Sequence, residues 1–68
     1  MINVELTKRR MAELGIKQSD VAAALKVAQP TASQKLNRIR PLSLDDAEKL
    51  AVLLKIDTAD FGRYFFAP

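Results

Sequence analysis

Cysteine, histidine and tryptophan are absent from this 68-residue chain. Without cysteine no disulfide can staple the fold, and no thiol nucleophile exists. Without cysteine and histidine a zinc finger has no ligands, so no metal site is expected. Without histidine a catalytic site lacks its commonest general base. The longest apolar runs, Val21–Leu25 and Leu50–Leu54, are five residues each. Spanning a bilayer takes about 18–20. The N-terminus shows no apolar stretch of the signal-peptide kind. The expectation is therefore a cytoplasmic protein with no membrane partner, no cofactor and no small-molecule ligand. An enzyme is the weakest functional reading: carboxylates occur without a histidine or cysteine beside them, and so small a core is expected to hold no apolar cleft.

What is present suits one small helical domain. Apolar residues make up 49% of the chain, too many for a disordered tail. Glycine is limited to Gly15 and Gly62, and proline to Pro30, Pro41 and Pro68. Charge is distributed unevenly. Residues 1–40 hold eight basic and three acidic side chains, while 41–68 hold three basic and five acidic ones. From Lys26 to Arg40 there are four basic residues (Lys26, Lys35, Arg38, Arg40) and no acid. Such a block suits a polyanion, because each neutralised phosphate releases counterions. On charge alone a plain solvated surface is an equally good reading.

Helical periodicity runs through the chain. The first helix spans Val4 to Leu14, capped by Asn3 and stopped by Gly15, with Val4, Met11 and Leu14 inward and Lys8 and Arg9 outward. Arg10 is either solvated or paired with Glu13 one turn on. The second spans Gln18 to Leu25, with Val21, Ala22 and Leu25 inside. The third lies near Gln29–Asn37, with Ala32 and Leu36 inside, Ile39 just beyond them, and Pro30 in its first turn, where a missing N–H is harmless. Its other side is polar: Thr31, Ser33, Gln34, Asn37 and Arg38. The short step around Val27 suits two steeply crossing helices, a helix-turn-helix. After Arg40-Pro41, Ser43 and Asp46 form a capping box for a fourth helix. Its apolar stripe is Leu44, Ala47, Leu50, Ala51 and Leu54. Asp57 is expected to cap a fifth helix over Thr58–Phe66, preceded by Ile56 as a buried residue. No strand is expected.

Residues 14–61, about two thirds of the chain, resemble the lambda repressor/Cro-type (XRE-type) helix-turn-helix family in one colinear register. The matching stretches are Gly15-Ile16-Lys17-Gln18, Asp20-Val21-Ala22, Leu25-Lys26-Val27-Ala28-Gln29, Thr31-Ala32-Ser33-Gln34-Lys35-Leu36-Asn37 and Ser43-Leu44-Asp45-Asp46. Leu50-Ala51 and Leu53-Leu54-Lys55-Ile56 complete them. The resemblance implies an all-α, five-helix DNA-binding fold occupying residues 1–68, with its second helix across the backbone and its third in the major groove. It further implies a transcription regulator of the Cro or short-repressor kind, on double-stranded operator DNA, in a bacterium or, if phage-encoded, in its bacterial host. No sensing or self-cleaving domain is expected. Control by abundance and by competition for sites is then expected. An antitoxin or host regulator of the same fold is also open. The alternative from another class is a helical protein-interaction module without an operator of its own.

Chemistry assigns roles on that frame. Gln29 and Gln34 are the chief base readers, since an amide pairs bidentately with adenine N6 and N7. Pro30 and the Thr31 methyl suit a thymine methyl; Ser33 and Lys35 complete the base-reading set, Lys35 for a guanine or a phosphate. Gln18 opens the second helix, where free N–H groups favour a phosphate, and the family uses a Gln there. Lys17, Asn37, Arg38 and Arg40 are its expected phosphate-contact neighbours. Departures from the family pattern are local. Lys26 stands where Gly is usual, at a cost of about 1–2 kcal/mol if the residue is left-handed; either it tolerates that cost or the turn differs. Lys17 and Ala28 replace hydroxyl caps. Arg38 replaces the Gly after the third helix, so Asn37 is expected to take that cap.

All four aromatics, Phe61, Tyr64, Phe65 and Phe66, lie in the last eight residues. Phe61 matches the family position that closes the core, and residues 61–68 are a dimerisation extension on one reading. Tyr64, Phe65 and Phe66 are then the contact residues of a homodimer formed at least on DNA. On the other reading Phe65, one turn from Phe61, covers the core of its own chain.

Overall fold

The computed structural model describes residues 1–67. Pro68, the last residue of the expected extension, lies outside them. Among the described residues the order is α1 (Val4–Leu14), α2 (Gln18–Leu25), α3 (Gln29–Leu36), α4 (Leu44–Leu53), a 3-10 turn (Thr58–Asp60) and α5 (Phe61–Phe65), with no strand. α2 packs on both α3 and α4, and α1 meets α5. The core gathers Met11 from α1, Val21, Ala22 and Leu25 from α2, Ala32 and Leu36 from α3, Ala47 and Leu50 from α4, then Leu54, Phe65 and Ile2. The alanines let α2, α3 and α4 approach closely, because a methyl group is all that stands between neighbouring backbones. The two ends of the chain are tied together: the Asn3 N–H donates to the Tyr64 carbonyl at 2.6 Å, and the Ala67 N–H to that of Met1 at 3.0 Å.

Local caps begin the helices where the sequence places them. The Asn3 side chain accepts the Leu6 N–H at 3.0 Å. Ser43 and Asp46 form the reciprocal box on α4, at 3.0 and 3.2 Å. At Lys17, which has no side-chain acceptor, the Asp20 carboxylate supplies half of such a box by accepting the Lys17 N–H at 2.8 Å.

The helix ends repeat one device. In α1, α2, α3 and α4 the chain leaves through a left-handed residue, Gly15, Lys26, Arg38 and Lys55 respectively. The next N–H bonds back to a carbonyl five residues earlier: Ile16 to Met11, Val27 to Ala22, Ile39 to Gln34, Ile56 to Ala51. Only the first of these positions is glycine; the other three are basic. Each cation sits at the negative end of a helix dipole, worth about 0.3–1 kcal/mol, and so offsets part of the left-handed strain. Lys26 therefore tolerates the cost in an unaltered turn.

Five expectations need correction. Arg38, at φ 64°, takes the left-handed cap of α3, whereas Asn37 stays at φ −103°. That turn swings the chain off the helix axis, so the inward register does not carry to Ile39, which is 73% exposed. Leu44, the first residue of α4, is also exposed rather than part of the buried stripe, since nothing among the described residues covers it there. The fifth helix is divided, because the Asp60 N–H bonds to the Asp57 carbonyl at 2.9 Å and tightens the first turn. Asp57 makes no side-chain cap.

Candidate nucleic-acid interface

α3 is held from behind. Ala32 is fully buried and Leu36 nearly so, which fixes the rotation of the helix and turns its opposite side outward. Gln34 lies on that side, half-buried and flanked by half-buried Thr31 and Ser33, while Gln29 and Pro30 are exposed in the first turn of the helix. Neither glutamine lies in the interior, and neither is bonded to an acidic residue. Gln34 instead accepts a hydrogen bond from Arg40 Nε at 2.9 Å. Its amide N–H groups have no partner among the described residues, and the Oε1 atom retains a second lone pair. Lys17 and Gln18 are exposed at the start of α2, where the first backbone N–H groups and the helix dipole favour an anion.

The basic block is less uniform than its sequence. Lys26, Arg38 and Arg40 are exposed and have no acidic partner among the described residues. Arg38 nevertheless spends its Nε on the Ile2 carbonyl at 2.7 Å, anchoring the N-terminal segment to the end of α3. Lys35 is turned inward. Its ammonium donates to Asp46 Oδ2 at 2.5 Å, with 16% and 10% of the two side chains exposed. This corrects the expectation that Lys35 reads a base: its charge is used to tie α3 to α4. Burial raises the Asp46 pKa, but hydrogen bonds from Lys35 and from the Ser43 backbone and hydroxyl, together with the Lys35 charge, outweigh it. The carboxyl therefore titrates below its ordinary value.

Asn37 is also engaged within the protein. Its Nδ2 donates to the Ser33 carbonyl at 2.8 Å, and its Oδ1 accepts from Lys8 Nζ at 2.7 Å. Lys8 thereby reaches the end of α3 from 29 residues away, a placement without any local signal in the sequence. Arg10 pairs with Glu13 at 3.5 Å and also donates to the Leu54 and Lys55 carbonyls at 2.9 and 3.2 Å. It closes the C-terminus of α4, a structural task. The aromatic cluster divides: Phe65 is only 4% exposed and belongs to the core, Tyr64 is half-buried, and Phe66 is 64% exposed. Phe65 is thus removed from the dimer-contact set.

Among the described residues, polar side-chain groups remain uncommitted at Lys17 and Gln18 on α2, at Gln29, Thr31, Ser33 and Gln34 on α3, and at Arg40 beyond it. Among the described residues no cluster of carboxylates, histidines or cysteines could hold a metal ion, and no helix is long and apolar enough to cross a membrane. A helix-turn-helix family model matches residues 6–61, most of the chain. No curated protein and no solved structure matches it.

Proposed function

Since the chain belongs to the lambda repressor/Cro-type (XRE-type) helix-turn-helix family, whose members are DNA-binding regulators, we propose that it is a Cro- or repressor-like protein occupying operator DNA through the major groove. One observation carries the reading. Ala32 and Leu36 clamp α3 while its amide-bearing side stays open, flanked by unpaired cations. In this reading α3 enters the groove, with Gln29 and Gln34 on base edges, Pro30 and Thr31 against a thymine methyl, and Ser33 beside them. Lys17, Gln18 and Arg40 contact phosphates. Arg40 also orients the Gln34 amide, so the sequence read at that position depends on both side chains.

A single recognition helix covers only a few base pairs, and two copies on a palindrome multiply affinity. Action on DNA puts the protein in the bacterial cytoplasm in this reading, where binding excludes polymerase.

Selection of bound duplexes from random DNA tests the proposal. The expected result is a palindromic motif whose affinity falls with salt by about 0.9 log units per phosphate contact per log unit of salt. Gln34→Ala is expected to relax one base position per half-site, by about 1–3 kcal/mol. An unenriched pool with a flat salt response would instead point to a protein-interaction module.

A further inference from the structure

Two side chains at the end of α3 are joined before any DNA arrives. The left-handed turn at Arg38, φ 64°, folds the chain back on itself. The Ile39 and Arg40 N–H groups then both donate to the Gln34 carbonyl, at 2.9 and 3.2 Å. The same turn brings the Arg40 side chain to that of Gln34, where Nε donates to Oε1 at 2.9 Å. Against the expectation of no apolar cleft, a groove of about 540 Å³ opens beside the α3–α4 connection, with Arg40 among its lining residues. The Arg40 Nε nevertheless bonds to α3.

An arginine N–H can only donate. It therefore decides which way round the Gln34 amide stands: the oxygen is drawn to Arg40, and the NH2 group is the free end of the side chain. A lone glutamine offers a donor and an acceptor side by side, which is what adenine N6 and N7 require. In the pair the acceptor is engaged by a permanent cation that has no acidic partner among the described residues. The second lone pair of Oε1 lies beside that guanidinium, so an amino group brought to it meets positive charge. The groups still uncommitted, the amide N–H pair and the Nη groups of Arg40, are all donors. The cation also polarises the amide and strengthens its N–H groups. In the major groove guanine offers two acceptors, O6 and N7. Thymine offers O4 alone, adenine sets an amino group beside N7, and cytosine presents an amino donor.

We infer that Gln34 and Arg40 form one donor surface that selects guanine, with Arg40 as the positioning residue that turns the Gln34 amide from an adenine reader into a guanine reader. Adenine, the base expected for the amide alone, is thereby replaced at Gln34. Gln29, at the other end of α3, keeps it. This role for Arg40 rests on the major-groove reading of α3 above.

The test is selection of bound duplexes from random DNA, run in parallel with the wild-type chain, Gln34→Ala, Arg40→Ala and the double variant. Arg40 is exposed, and truncating its side chain leaves its backbone bond to Gln34 in place, so the fold persists. The base position relaxed by Gln34→Ala is the one the pair reads. The wild-type chain is expected to prefer guanine there over adenine by about tenfold or more. Arg40→Ala frees Oε1, and the preference at that one position moves to adenine while the rest of the motif stands. Once Gln34 is alanine, Arg40→Ala shifts no base preference and only lowers affinity for all duplexes. Any base other than guanine preferred at that position by the wild-type chain overturns the inference. So does a motif untouched by Gln34→Ala. So does an Arg40→Ala variant that weakens all duplexes alike and still prefers guanine, the mark of a phosphate contact alone. Each of these results leaves the functional reading standing, whereas a pool with no enriched motif overturns both.

Discussion

Replacing Asp46 by Asn removes one charge and little volume, yet it acts on two elements at once. The carboxylate accepts from Lys35 at 2.5 Å and from the Ser43 N–H at 3.2 Å, and the residue is 7% exposed. An amide oxygen keeps an acceptor for Ser43, so the α4 cap largely survives. The loss falls on the α3–α4 tie. A hydrogen bond to a charged group contributes about 1.5–3 kcal/mol, and breaking a buried pair costs about 3–5. Lys35 limits the damage by swinging its ammonium into water along a flexible stem. The expected loss is therefore about 2 kcal/mol at pH 7, or roughly 8–16 °C in Tm for a domain of this size.

The pH dependence gives the sign. The folded pKa of Asp46 is lowered, so its contribution is full above the unfolded value of about 3.9 and disappears as pH falls through the folded value. Thermal melts from pH 7 to pH 2 should show Asp46→Asn well below wild type at neutral pH and converging on it in acid. DNA binding gives an independent reading. A released Lys35 adds a mobile cation beside Gln34, and the salt slope steepens by up to about 0.9. Equal Tm values at pH 7, or parallel acid limbs, would refute the assignment of the Lys35–Asp46 pair as the tie between recognition helix and scaffold.

Two further substitutions test the backbone and the core. At Lys26, φ 57°, both Lys26→Gly and Lys26→Ala discard the charge at the helix end, but only glycine relieves the left-handed strain of about 1–2 kcal/mol. After glycine's own entropic cost of about 0.5–1 kcal/mol, Lys26→Gly should exceed Lys26→Ala by about 1 kcal/mol in chemical denaturation; equal stabilities would show that the turn rearranges. Thr7 is 1% exposed, and its hydroxyl has no hydrogen-bond partner. Thr7→Val keeps the shape and should stabilise by about 1 kcal/mol, whereas a loss of stability would mean that a water or a shifted carbonyl satisfies the hydroxyl.

The parts of this protein legible in its sequence are those governed by neighbours. Asn3, Gly15, Ser43 and Asp46 begin or end helices through bonds spanning three to five residues, and the inward register of Val21, Leu25, Ala32, Leu36 and Leu50 follows from helical period alone. That register also oriented α3, which is why the outward position of Gln34, two residues from both Ala32 and Leu36, could be foreseen. Tertiary structure decided what long side chains do. Arg10 reaches carbonyls 44 and 45 residues away, Arg38 one 36 residues away, and Lys35 a carboxylate 11 residues on. A flexible cation can meet any acceptor that the fold brings within its reach, and composition does not say which helix end will pass there. The same reason separates Ile39 and Leu44 from the core. Period places a residue on a face of its own helix, but whether another element covers that face depends on where the left-handed turn at Arg38 sends the chain.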